Sequence, residues 1–113
     1  MDKIKKRNIK IYQLNDGKCP FTNWLEALDN TVRYRIKSRL ARVALGNLGE
    51  YKILGSGINE LKFTFGAGYR IYYAEINNEI ILLLAGGDKK TQVKDINLAK
   101  QYLQDYLGDQ NYE

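Results

Sequence analysis

The sequence contains no histidine and a single cysteine, Cys19. Histidine is the commonest general base near neutral pH and the commonest metal ligand, so its absence argues against both kinds of site. One cysteine cannot form an internal disulfide, and no imidazole is present to activate it as a nucleophile. We therefore expect no metal and no cofactor, and a reducing compartment such as the cytoplasm.

Long apolar runs are also missing from the chain. The longest, at residues 80–85, is far too short to cross a bilayer, so no membrane partner is expected. The charged start, Met1-Asp2-Lys3, is not followed by the apolar segment of a signal peptide. The 113 residues, 44% hydrophobic and 27% charged, predict one domain over 1–113 with a structured core at about 9–107.

Charge is unevenly distributed along the sequence. Residues 1–70 hold 14 basic and 6 acidic residues, whereas residues 71–113 hold 4 and 7. A basic body suggests a polyanionic partner, although charge alone is equally compatible with an ordinary solvated surface.

Hydrophobic periodicity predicts an α+β domain. Alternation at 9–14 indicates a first strand, and apolar spacing between Pro20 and about residue 45 indicates two helices forming an αα-hairpin. Further strands are predicted within 51–85, and a last helix near 91–107. The order favours an antiparallel sheet of about four to five strands, with the helices packed on one face.

Two turns determine the expected register of the central strands. If Gly66-Ala67-Gly68 is a three-residue loop, Arg70 lies opposite Thr64, and Tyr72 lies opposite Lys62. Opposed residues share a face and side chains alternate, so one face is apolar and the other polar. The predicted polar face consists of Glu60, Lys62, Thr64, Arg70 and Tyr72.

The second turn extends this polar face. If Asn77-Asn78 is a two-residue loop, Arg70 lies opposite the small Ala85, and Lys89 and Lys90 follow at the same end of the sheet. Lys62, Arg70, Lys89 and Lys90 are then expected to converge in one concave patch. A register slip of one residue would scatter the set.

Such a patch has the groups needed to cleave RNA through its own 2′-hydroxyl. The Arg70 fork matches two phosphate oxygens, and like charges nearby favour neutral lysines that can exchange protons at Lys62, Lys89 or Lys90. Glu60 is a competing base, and Tyr72 can stack on a nucleobase. A set of solvated strand residues with no catalytic role stays the simpler alternative.

The predicted second helix carries a run of basic residues without an acid. At helical spacing they flank its apolar stripe, which suits either a solvated rim or docking on a phosphate backbone. The residues are Arg33, Arg35, Lys37, Arg39 and Arg42.

Several motifs, taken in order, resemble one known family. They are Leu45-Gly46-Asn47-Leu48-Gly49, Glu60-Leu61-Lys62, Gly66-Ala67-Gly68-Tyr69-Arg70-Ile71-Tyr72-Tyr73 and Leu82-Leu83-Leu84-Ala85-Gly86-Gly87-Asp88-Lys89-Lys90-Thr91-Gln92. Over about 9–107 the chain resembles the addiction module killer proteins, a branch of the RelE/ParE superfamily close to HigB-like, phage Gp49-related toxins.

The resemblance implies a fold, an activity and partners. The fold would be the microbial-RNase-like α+β fold of RelE, and the activity metal-independent, ribosome-dependent cleavage of mRNA. The partners would be the ribosome, its mRNA and a cognate antitoxin, typically a helix-turn-helix protein. Arg70 would be catalytic, Lys89-Lys90 would match the family's basic pair, and Lys62 would be the nearest match to a lysine of the preceding strand.

The chain also departs from the family pattern. Ile96 stands about where RelE has a tyrosine, and the histidine of HigB-type toxins is absent. The general acid and base therefore stay open. So do two alternatives, a ParE-like gyrase poison and a non-catalytic or decayed toxin that only binds its antitoxin.

Overall fold

A five-stranded mixed sheet forms the centre of the molecule, with helices on both of its faces. The structure is a computed structural model that describes residues 5–111. The elements are β1 (Asn8–Ile11), α1 (Pro20–Glu26), α2 (Asn30–Ala44), β2 (Tyr51–Gly55), β3 (Ile58–Lys62), β4 (Arg70–Ile76), β5 (Ile80–Gly87), a 3₁₀ turn (Lys89–Thr91) and α3 (Gln92–Asn111). The predicted α+β class, αα-hairpin and C-terminal helix are confirmed.

The strand order is β1-β5-β4-β3-β2. Strands β2 to β5 form the predicted antiparallel meander, but β1 pairs with β5 in parallel, with Ile9 opposite Ile81. An entirely antiparallel sheet was therefore the wrong expectation at this edge. Parallel neighbours need a long connection between them, which the αα-hairpin and the meander supply here.

Local sequence explains where the two N-terminal helices begin. Pro20 is the first residue of α1, a position where its missing N–H costs no helical hydrogen bond. The Asp29 side chain precedes α2 and accepts a 3.0 Å hydrogen bond from the Thr31 N–H. Ile36 and Val43 are the buried residues of α2. The two helices thereby lie against one face of the sheet.

The core has two layers, one on each side of the sheet. Phe21 and Ile36 pack with Leu61, Ile71 and Tyr73 on the α1/α2 side. On the other side, α3 packs over a second cluster that includes Tyr72, Ala74, Leu82, Leu84, Ala99 and Leu103. The expectation of helices on one face was wrong. Residues 71–74 and 81–85 are buried on both sides of the sheet, so these strands need a cover on each face.

The expectation that no signal peptide is present concerns residues 1–4, which lie outside the described part of the chain. Within residues 5–111, no helix is long and apolar enough to cross a membrane.

Candidate functional site

The predicted polar face is present, but its register differs from the expectation. β3 and β4 pair Lys62 with Arg70 and Glu60 with Tyr72, and the connection is residues 63–69 rather than three residues. Each pair is displaced by two residues from the predicted one. A shift of two preserves the alternation of side chains, so the same residues still share a face.

The β4–β5 pairing differs more. Asn77 and Asn78 both have positive φ, but the turn also includes Glu79, because Ile76 pairs with Ile80. An irregularity after Tyr72 adds another shift, so that Arg70 lies opposite Gly87 and not opposite Ala85. The predicted partner of Arg70 was therefore wrong.

Arg70 lies on the polar face with little contact to solvent. Its Nη1 donates a 2.7 Å hydrogen bond to the Gly68 carbonyl, and its Nε lies 3.7 Å from Glu60 Oε2. That distance gives an ion pair without a hydrogen bond, and Nε has no hydrogen-bond partner among the described residues. The charge of Arg70 is thus only partly satisfied within the chain.

The Tyr72 ring lies beneath α3 and is fully buried. The predicted stacking of this ring on a nucleobase is therefore not possible in this arrangement. Burial raises the pKa of the Tyr72 phenol, and the nearby carboxylates of Glu60 and Asp95 raise it further. The phenol is protonated at neutral pH and is not a base.

Asp95, from the first turn of α3, covers the sheet beside Arg70. Its carboxylate accepts a hydrogen bond from the Thr91 hydroxyl, and burial raises the pKa of Asp95. The carboxylate occupies the space above Gly87, where an added Cβ would lie 1.7 Å from Oδ2. Only glycine permits this contact between α3 and the strand that borders Arg70.

These elements leave a cleft of about 190 Å³ between β2, β3, β4 and the start of α3. We call it the Arg70 cleft. Its lining residues are Glu50, Tyr51, Lys52, Glu60, Lys62, Arg70 and Gln92. Predicted residues Glu60, Lys62 and Arg70 are thereby brought together in one concave site.

Lys52 is a site residue that the sequence analysis missed. It lies opposite Glu60, which lies opposite Tyr72, so the three side chains form one row across the sheet. Extending the alternation from β3 into the predicted strand at 51–54 would have found it. That step needs the β2–β3 register, which no turn motif determines as strictly as a two-residue hairpin does.

Lys89 and Lys90 are less closely associated with the cleft, and neither lines it. The Lys89 N–H is 3.4 Å from the Ala67 carbonyl oxygen. A Cβ at Gly68 would lie 3.3 Å from Arg70 Nη1 and 3.4 Å from Lys89 Cβ, which places Lys89 at the outer edge of the Arg70 loop. Lys90 is exposed on the 3₁₀ turn, which the Asp88 side chain caps.

The basic residues of α2 have unequal roles. Arg33 donates to the Glu26 carbonyl and the Asn30 side chain, and Arg35 stacks 3.8 Å from the Phe65 ring centre. Arg39 donates to backbone carbonyls below the sheet. The remaining two members of the set, Lys37 and Arg42, are exposed. The run is therefore partly structural and only partly available to a ligand.

The Arg70 cleft has the chemistry of an anion site with an adjacent base. A guanidinium lines its floor, Lys52 and Lys62 contribute further positive charge, and Glu60 supplies a carboxylate. Within residues 5–111 no group of histidine, cysteine, aspartate or glutamate side chains could hold a metal ion. The donor set suits a phosphate group.

Comparison with known proteins supports the fold. The structure superimposes on that of a free double mutant of the Escherichia coli toxin RelE with a TM-score of 0.58. The match has 17% sequence identity and covers 82% of this chain and 97% of that one. The predicted RelE-like fold is therefore confirmed.

Sequence comparisons identify the family. An uncharacterized protein of Haemophilus influenzae is 42% identical over 86 residues, which are 75% of this chain and 87% of that protein. The model of the family described as phage derived protein Gp49-like matches residues 23–104. This range contains the whole Arg70 cleft and confirms the predicted resemblance. The chain belongs to the phage-derived Gp49-like family.

Proposed function

We propose that this chain is the toxin of a type II toxin–antitoxin module and that it cleaves mRNA on the ribosome. The observation that supports this most directly is the Arg70 cleft. It combines a poorly satisfied guanidinium with two lysines and a carboxylate in a space of about 190 Å³. Membership of the Gp49-like family and the RelE fold agree with this proposal.

Each step of the cleavage has a candidate group in the cleft. Attack by the 2′-hydroxyl needs a proton acceptor, and the Glu60 carboxylate is available for it. The phosphorane needs positive charge, which the Arg70 guanidinium supplies at the floor. The leaving 5′-oxygen needs a proton, and Lys62, opposite Arg70 on β3, is placed to donate it. Lys89 and Lys90 then contact the RNA outside the cleft.

The partners follow from the same proposal. A cognate antitoxin, encoded nearby and of the helix-turn-helix type, restrains the toxin in the cytoplasm. The basic part of the chain, residues 1–70, favours association with a ribosome and its mRNA, because phosphate contacts dominate such binding.

The test is expression without the antitoxin, followed by mapping of RNA 5′ ends. The wild type should arrest growth and produce cuts within translated codons. Arg70→Ala should lower cleavage at least about 100-fold, as expected when a donor to the transition-state charge is removed. Arg70→Lys keeps a charge near Glu60 and should fold, yet it loses the planar fork and should cleave poorly.

The matched control is Lys18→Ala, which removes a highly exposed charge that lines neither side of the cleft. It should arrest growth like the wild type. Growth arrest with intact mRNA would overturn the proposal. Trapped gyrase–DNA complexes in those cells would establish the ParE-like alternative, and harmless expression of soluble protein would establish the decayed toxin.

A further inference from the structure

A second cleft lies beside the Arg70 cleft, between the end of α2 and the end of β3. Its volume is about 320 Å³, and Arg39, Arg42 and Thr64 are among its lining residues. Glu50 and Lys62 line both clefts. The two spaces are therefore neighbours across the end of β3, and Lys62 is common to both.

The floor of this second cleft carries a cation without a carboxylate partner among the described residues. The Arg39 fork donates to the carbonyl oxygens of Leu48, Glu50 and Lys62, which fixes its position but does not neutralise it. Burial lowers the pKa of Arg39, and the neighbouring charge of Arg42 lowers it further. Both effects indicate a region of positive potential that an anion would stabilise.

Arg42 and Lys62 complete the positive wall of this cleft. Both side chains are exposed, so their charges are available to a ligand. Thr64, in the connection between β3 and β4, adds a hydroxyl, and the Phe65 ring adds an aromatic surface. The carboxylate of Glu50 is the one acid among the lining residues. Cations, hydroxyl and ring together suit a phosphorylated nucleoside better than an apolar ligand.

We infer that the second cleft binds the nucleotide adjacent to the linkage held at Arg70, with Arg42 contacting its phosphate. One RNA strand crossing the end of β3 would occupy both clefts, and Lys62 would lie between the two phosphates. This inference rests on the proposed function. It extends that function by assigning the RNA strand a second subsite and by giving one exposed arginine of α2 a defined role.

The test combines truncation of the RNA with substitution of the protein. Ribosomes are programmed with mRNAs that are shortened one nucleotide at a time on either side of the cleavage position. For each mRNA, the toxin concentration that gives half the maximal single-turnover cleavage rate is measured. Removing the nucleotide that occupies the second cleft should raise this concentration about tenfold for the wild type, the value of one charged hydrogen bond.

Arg42→Ala should itself raise the half-maximal concentration on the full-length mRNA about tenfold and should show little further response to that truncation. Lys37→Ala removes one charge from the same helix outside the cleft and should keep the full response. If Arg42→Ala responds to truncation as strongly as the wild type, or if Lys37→Ala also loses the response, the inference is wrong while the proposed function stands. Absence of any cleavage by the wild type would instead contradict the proposed function.

Discussion

Arg70 Nε lies 3.7 Å from Glu60 Oε2, and both side chains are almost fully buried, with 8% and 6% of their surface exposed. They occupy neighbouring strands, where Glu60 lies opposite Tyr72 and Arg70 lies opposite Lys62. Two opposite charges that are removed from water together depend on each other. Neither can be neutralised alone without leaving an isolated buried charge.

Glu60→Gln should therefore destabilise the fold. The guanidinium of Arg70 would lose its counter-charge, and we expect the free energy of unfolding to fall by about 3 kcal/mol. Denaturant unfolding followed by the fluorescence of Trp24, the single tryptophan, measures the change. The double variant Glu60→Gln with Arg70→Met removes both charges and should recover most of the loss. Stability of Glu60→Gln equal to that of the wild type would show that the pair is not coupled.

Tyr72→Phe should be tolerated. The Tyr72 hydroxyl is buried and has no hydrogen-bond partner among the described residues, so its removal relieves an unsatisfied group. We expect equal or greater stability, by up to about 1 kcal/mol, and an unchanged pH profile of RNA cleavage. A loss of stability above that amount would mean that the hydroxyl has a partner. A shifted pH profile would mean that it transfers a proton.

The shared face of Glu60, Lys62 and Arg70 was predictable although the exact register was not. Alternation has a period of two residues, and the real β3–β4 register differs from the predicted one by two. The connection at 63–69 is longer than its glycines suggested, because Phe63 still bonds across the strands through the Tyr69 carbonyl. The pattern of faces therefore survived an error in loop length.

The burial of the site was not predictable in the same way. Alternation assigns Tyr72 and Arg70 to a face but does not say what covers that face. The cover is α3, and its direction depends on the packing of Leu103 and Ala99 against the sheet. The unbroken apolar sequence of β5 was the available signal, because a strand that is buried on both sides needs a second layer.

Gly87→Ala should disrupt the contact between α3 and the sheet. The new Cβ would lie 1.7 Å from Asp95 Oδ2 and 2.7 Å from the Thr91 hydroxyl, so the start of α3 must move. We expect a loss of about 3 kcal/mol in the free energy of unfolding, near the upper end of overpacking costs. Gly108→Ala is the matched control. Nothing lies within 4 Å of its added Cβ, and alanine favours the helix by up to about 1 kcal/mol. Equal effects of the two variants would contradict the contact.

Asp95→Asn should make the protein more stable at neutral pH. Burial raises the pKa of Asp95 above its ordinary value of 3.8, so the folded chain favours the protonated carboxyl. As the pH rises from 3.8 through the higher folded value, the unfolded chain ionises more readily, and folding stability is lost. Asparagine cannot ionise, and its carbonyl can still accept the hydrogen bond from Thr91. Unfolding of both proteins across this range measures the difference, in which the other carboxyls cancel. The difference should shrink to nothing at acid pH. A variant that is less stable than the wild type at neutral pH would show that the charged carboxylate stabilises the start of α3 more than its burial costs.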